Sequence, residues 1–277
     1  MKHVLAALLL ASPVLAAEPK VDRDRPYAEP AHKRQTLDVY APADGKDHPI
    51  MVWIHGGGWQ AGDKAEVDKK PRAFADRGWV FVSVNYRLLP DATINQMAGD
   101  VARAIHWVHS HAKDYNADPR QIVVAGHSAG AQLAALVCTD EQYLKAEGLS
   151  LAHIRGCAPV DGDTYDVPMQ IKTVEQRRAD IYRKKFGTEE SQKALSPVTH
   201  VAKDKRIPPF LVLHVADHPE VKGQSERLVK ALQEAGVPAK AYPATGKTHA
   251  TINSDLGAPD DGPTREMFAF LARVVKK

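Results

Sequence analysis

The sequence predicts one α/β domain, with a mostly parallel central sheet and helices on both faces. Three observations predict it. Short, β-branched apolar runs alternate along the chain with amphipathic helical stretches, the pattern that winds a parallel sheet. The 277 residues are enough for one large, well-buried core. Finally, the apolar run 121–125 passes through Gly126-His127-Ser128-Ala129-Gly130 into the apolar stretch 131–137, so strand, sharp turn and helix follow without a gap.

Each element has its own signal. Residues 18–33 carry Pro19, Pro26 and Pro30 among mixed charges and read as an extended arm. Residues 35–40 alternate polar and apolar, a strand with one solvated face. Residues 50–54 are wholly apolar, a central strand that delivers His55-Gly56-Gly57-Gly58-Trp59. A helix over 66–77 closes at Gly78, and a buried strand over 79–84 runs into Asn85-Tyr86-Arg87-Leu88. Met97, Val101, Ile105 and Val108 recur every three or four residues, which predicts a helix over 94–115 with one buried face. A shorter strand follows over 154–160.

From 161 to 209 the alternation stops. Basic helical stretches such as 175–185 lack a strong apolar face, and Pro168, Gly187 and Pro197 interrupt them. An excursion of that length is expected to be a lid or side wall. Alternation resumes with a strand over 210–215, a helix over 225–234 stopped by Gly236, a short strand over 239–242 and a last helix over 264–275.

The N-terminus predicts a signal peptide. Lys2 and His3 precede an apolar stretch over 4–10, and small residues permit cleavage after Ala16 or Ala17. Residues 18–277 then form the mature domain, expected in a periplasm or outside the cell. The apolar stretch is too short to span a bilayer and no later one is longer, so no stable membrane insertion is expected. The net charge of +3 is too small and too evenly spread to call for a nucleic acid partner. Cys138 falls on the helix after the turn and Cys157 on the next strand; such positions favour buried thiols, although export permits a bridge.

The pentapeptide at 126–130 has a steric logic. A serine held at the tip of a strand-to-helix turn needs nearly side-chain-free neighbours two places away, which Gly126 and Gly130 supply. Its hydroxyl is a poor nucleophile at neutral pH, so Ser128 needs a base, and the base an orienting carboxylate. His249, between the last strand and the last helix, fits the base. Of the other histidines, His106, His109 and His111 read as solvated on a helix end, His214 and His218 as structural, and His127 as pointing away from the hydroxyl. Asp217, two residues past the apolar run that ends at Val215, fits the acid; Glu220, three residues further on, is the rival. Glycines at 56–58 let backbone N–H groups approach a substrate oxygen, so Gly57 and Gly58, with Ala129, are the expected oxyanion donors. No Gly-x-Gly-x-x-Gly or Gly-Lys-Ser/Thr supports a phosphate loop, and no Cys or His spacing a structural zinc site.

With these residues assembled, the mature chain resembles the α/β-hydrolase superfamily, and within it the small carboxylesterases of hormone-sensitive-lipase-like and acetyl/feruloyl esterase type and the related aryl formamidases. His55-Gly56-Gly57-Gly58-Trp59, Asn85-Tyr86-Arg87-Leu88, Gly126-His127-Ser128-Ala129-Gly130, Asp217 and His249 carry the resemblance. The lipase-like enzymes usually have Asp where His127 stands and an N-terminal helical cap that residues 18–33 cannot supply. The resemblance implies a cofactor-free, metal-free serine esterase acting on short acyl or aryl esters, with acetyl or aromatic esters on polysaccharide as candidates. An aryl formamidase or amidase is the alternative, and a non-catalytic binding protein on the same fold a further one. Trp59, His127, Tyr165 and Met169 are the candidate substrate-binding residues, with Tyr182 beside them.

Overall fold

The computed structural model describes residues 18–275; the expected signal segment, 1–17, lies outside the described residues. Eight strands form one sheet: β1 (Lys20–Pro26), β2 (Thr36–Ala41), β3 (His48–Ile54), β4 (Val80–Val84), β5 (Ala117–His127), β6 (Ile154–Val160), β7 (Phe210–Val215) and β8 (Ala239–Ala244). Their order is β1-β2-β4-β3-β5-β6-β7-β8. β1 and β2, and β2 and β4, pair antiparallel; every later pair is parallel. The helices are α1 (Lys70–Ala75), α2 (Ile94–His111), α3 (Ala129–Thr139), α4 (Glu141–Ala146), α5 (Val167–Thr173), α6 (Gln176–Phe186), α7 (Glu189–Ala194), α8 (Pro219–Glu234), α9 (Thr251–Ser254) and α10 (Gly262–Val274). This is the α/β-hydrolase fold.

The wholly apolar strands are explained by cover on both faces. Along β3, Ile50, Val52 and Ile54 join one core with Met97, Val101 and Ile105 of α2 and Leu133 of α3. The alternate residues, Met51 and Trp53, join a second core with Phe74 of α1 and Met267, Phe270 and Leu271 of α10. α2 begins at a capping box, Thr93 with Gln96, and ends four residues before the expected boundary. There the chain tightens into a 3-10 turn over Ala112–Tyr115, stopped by Asn116 in the left-handed region.

Further elements differ from the sequence expectation. The arm over 18–33 contributes a strand, β1, which adds an antiparallel edge to β2. α8 starts six residues earlier than expected, because Pro219 at its first turn needs no N–H partner there. In 161–209 lie three helices, of which α6 carries a narrow buried stripe of Ala179, Tyr182 and Phe186. Phe186 meets Trp59 edge-on, ring centroids 5.0 Å apart, and so fixes α6 above the glycine loop.

Cys138 and Cys157 are buried free thiols. Burial, reinforced by Cys138 alongside, pushes the Cys157 thiol well above its ordinary range. Among the described residues no helix is long and apolar enough to cross a membrane.

Candidate active site

Ser128 sits where β5 becomes α3, at φ 57° and ψ −118°, a region that costs a side chain of order 1–3 kcal/mol. The turn passes so close to the end of β3 that a Cβ on Gly130 would lie 2.2 Å from the Ile54 carbonyl oxygen. One on Gly126 would lie 2.4 Å from the Gly130 oxygen. The strain is held by packing and by the Ser128 N–H, which donates to the Val160 carbonyl at 2.9 Å.

His249 lies in the loop between β8 and α9, its side chain about half exposed. Its Nδ1 is 2.6 Å from Oδ2 of Asp161, a carboxylate with no solvent exposure. The other carboxylate oxygen, Oδ1, accepts the Val215 N–H at 2.8 Å, so both oxygens are engaged. Asp161 follows directly on β6 and is itself left-handed, at φ 53°. The hydrogen bond to Asp161 raises the His249 pKa above its ordinary value, against the opposing effect of burial. Hydrogen bonds from His249 and the Val215 N–H hold the Asp161 carboxyl below its ordinary value although burial pushes the other way.

This corrects the expected acid. Asp217 is exposed in the turn between β7 and α8, and among the described residues it forms no hydrogen bond or ion pair with His249. Its rival Glu220 is on the first turn of α8, paired with Arg178. The carboxylate that reaches His249 belongs to the neighbouring strand.

The loop that carries His249 is braced on both sides. Lys247 pairs with Asp255 at 2.9 Å and Asp261 at 2.6 Å, while Thr248 and Thr251 exchange side chain to backbone hydrogen bonds. From the elbow, His127 Nε2–H donates to the His249 carbonyl at 2.9 Å. Burial, first, and then neighbouring His249 lower the His127 pKa to about 3, so this imidazole is neutral. Ligand atoms of His127, Asp161 and His249 lie within 4.8 Å of one another, while His127 Nε2, His249 Nδ1 and Asp161 Oδ2 serve these two hydrogen bonds.

Opposite the elbow is the glycine loop. Gly57 has φ 110°, and a Cβ there would meet the Ala61 carbonyl oxygen at 2.1 Å, so only glycine fits the turn. Among the described residues the N–H groups of Gly57, Gly58 and Ala129 have no backbone acceptor. The loop is held from behind by a group that sequence reading missed. Arg34 donates to His55 Nε2, to the Gly62 carbonyl and to Asp63, each at 3.0 Å, and to the Tyr86 carbonyl at 3.2 Å. Since Arg34 can only donate, His55 carries its proton on Nδ1 and gives it to the Gly56 carbonyl at 2.7 Å. Burial lowers the His55 pKa to about 4. Its ring stacks on Tyr86 at 4.4 Å, and the Tyr86 hydroxyl donates to the His55 carbonyl at 2.9 Å.

Ser128 opens onto two cavities. One, of about 570 Å³, is lined by His249, His127, Trp53, Glu66, Asp68 and Asn253 among others. The other, of about 180 Å³, is lined by Gly58, Trp59, Asp163, Arg178, Ile181, Tyr182 and Lys185. The structure therefore brings Trp59, His127 and Tyr182 to the site. It does not bring the other two. Tyr165 is fully buried in the core, and Met169 faces a different groove beside Asp166 and Arg227. Asp163, in the loop before α5, was not anticipated, nor were Arg178 and Lys185, since polar residues on a helix without an evident apolar face read as solvated.

The family model for BD-FAE matches residues 37–232, most of the chain. The chain belongs to the BD-FAE family. The matched span of this BD-FAE chain includes the glycine loop, the elbow, Asp161 and α6, and stops short of His249. The chain is 29% identical over 276 residues to a probable isoprenylcysteine alpha-carbonyl methylesterase of Arabidopsis thaliana, covering 93% of this chain and 56% of that protein. It thus spans little more than half the length of that relative. It is 29% identical over 243 residues to kynurenine formamidase of Danio rerio, covering 84% and 76%. Among solved structures, an inhibited esterase B from Lactobacillus rhamnosis superposes with TM-score 0.78 at 22% identity, covering 93% of this chain and 87% of that one, a likeness of fold.

Proposed function

We propose that this protein is a serine carboxylesterase acting on short acyl or aryl esters. The observation that carries the reading is the 2.6 Å contact between His249 Nδ1 and Asp161, on a base that shares a cleft with a serine held on a strained elbow. Asp161 fixes the imidazole with Nδ1 protonated, which leaves Nε2 free to take a proton. Ser128 Oγ attacks the ester carbonyl as its proton passes to His249 Nε2. Negative charge gathers on the carbonyl oxygen, facing the N–H groups of Gly57, Gly58 and Ala129. His249 then protonates the departing alkoxide, and a water deprotonated by the same nitrogen releases the acid and restores Ser128.

Relatives whose names include esterase activity support the reaction class, and the apolar stretch near the N-terminus supports an exported enzyme that meets substrates such as acetyl or aromatic esters on polysaccharide. The formamidase relative favours a second reading, the same chemistry on an aryl formamide. The test is hydrolysis of p-nitrophenyl acetate, butyrate and octanoate beside an aryl formamide, by the mature protein and by Ser128→Ala. Short esters should be cleaved fastest, with activity lost in the variant. Preference for the formamide would move the assignment to the second reading; activity that survives Ser128→Ala would end both.

A further inference from the structure

The two cavities at Ser128 are not equivalent, and the catalytic geometry says which part of an ester enters each. The group that protonates the leaving alcohol must stand next to the leaving oxygen. His249 lines only the larger cavity, so the alcohol departs on that side. The acyl chain is left the smaller one, about 180 Å³, which suits a short chain.

The charges of this acyl cavity are unequally paired. Arg178 is answered twice, by Glu220 and by Asp163. Asp163 also accepts the Tyr182 hydroxyl and faces Gln170 Nε2 at 3.4 Å. Lys185, part-buried, forms no such ion pair: Asp163 stands beyond ion-pair distance and acts on it through its charge alone. Its Nζ donates to the Gly58 carbonyl at 2.9 Å and lies 5.5 Å from the centre of the Trp59 ring, and among the described residues no carboxylate forms an ion pair with it. An ammonium group has three donors, and one protein acceptor leaves others for a guest. Part of the wall around it is apolar, from Trp59 and Ile181, which strengthens a charge–charge contact by excluding water.

We propose that Lys185 makes this enzyme selective for esters whose short acyl group ends in an anion, that is, half-esters of small dicarboxylic acids. This rests on the serine esterase reading above. The acyl carbonyl sits at Ser128 and the chain runs along Trp59, with its terminal carboxylate against Lys185 Nζ. The free carboxylate takes no part in bond making, so the acyl-enzyme forms and hydrolyses as for a neutral ester. The acid released is a dianion at neutral pH.

The experiment compares kcat/KM for methyl hydrogen succinate with that for methyl butyrate, a neutral ester of similar length, following methanol release. The wild-type ratio should favour the anionic ester by about tenfold or more and shrink as salt is added. Lys185→Gln should bring the ratio down about tenfold, Lys185→Arg should restore much of it, and Lys184→Gln, on the exposed side of α6, should leave it unchanged. A purely structural role for Lys185, holding the Gly58 carbonyl, would lower both substrates together and leave the ratio as it was; that result overturns the proposal. So does a wild-type ratio at or below one. Loss of methyl butyrate hydrolysis in Ser128→Ala tests the esterase reading separately, so either idea can fail without the other.

Discussion

Ser128 and Asp161 are the first residues beyond two adjacent strands, because the register of β5 against β6 pairs His127 with Val160. The serine's N–H donates to the Val160 carbonyl, so the proposed nucleophile and acid share one peptide link across the sheet. The acid is thereby tied to the elbow by backbone as well as through His249.

Removing the charge of that acid separates the two aspartates. Asp161→Asn should lower kcat on p-nitrophenyl butyrate by about 100- to 10,000-fold, since an amide favours the wrong imidazole tautomer. Asp217→Asn, in an exposed turn, should change it by less than about twofold. The opposite order of effects would return the role to Asp217.

The pH profile carries the same information. A base works when neutral, and contact with Asp161 raises the His249 pKa above its ordinary 6.5. The acidic limb of kcat/KM should therefore be centred above pH 6.5 in the wild type, with activity rising as pH increases through it. In Asp161→Asn, whatever activity persists should show that limb at lower pH. A limb that does not move would mean that another group titrates there.

His127 tests positioning alone. It donates to the His249 backbone and cannot reach the reaction as an acid or base near neutrality. His127→Ala should lower kcat about tenfold or more with a smaller effect on KM, and the limb assigned to His249 should stay in place. His127→Gln, which keeps an N–H donor on a side chain of similar reach, should recover part of the rate.

Acid stability follows from the second buried imidazole. His55 is 3% exposed and its folded pKa is about 4, below the 6.5 of an unfolded chain. Between those values the unfolded state binds more protons, so the stability is complete above pH 6.5 and falls as pH drops toward 4. The loss is about 3 kcal/mol at 1.36 kcal/mol per pH unit. Urea midpoints measured from pH 7.5 to 4.5 should decline over that window, and Arg34→Ala should lower the midpoint at every pH, by about 2 kcal/mol of unfolding free energy.

The sheet was legible because apolar strands buried on both faces leave unbroken β-branched runs, as at Ile50–Ile54 in β3. The elbow and glycine loop were legible because steric crowding at Gly130 and Gly57 admits only one residue type. Asp161 was missed because two strands are each followed within two residues by an aspartate, and a linear sequence does not say which strand lies beside β5. The pairing of His127 with Val160 decides it, and that is a long-range fact. Arg34 was missed for a related cause: its partners, His55, Gly62, Asp63 and Tyr86, are up to 52 positions away in the chain. Tyr165, Met169 and Tyr182 were all placed in the pocket because they fall in the segment over it, but only Tyr182, on the buried stripe of α6, lines it.

Only Gly162 separates Asp161, which orients the base, from Asp163, which receives the Tyr182 hydroxyl and faces Arg178 in the acyl cavity. That glycine has no slack, since a Cβ would stand 2.7 Å from the Tyr165 hydroxyl oxygen. The carboxylate proposed to orient the base and one polar wall of the smaller cavity thus sit on a single tripeptide. Anyone who reshapes α6 to admit a new acid should expect the pH optimum to drift with it, so variants chosen for a new substrate need assay at more than one pH.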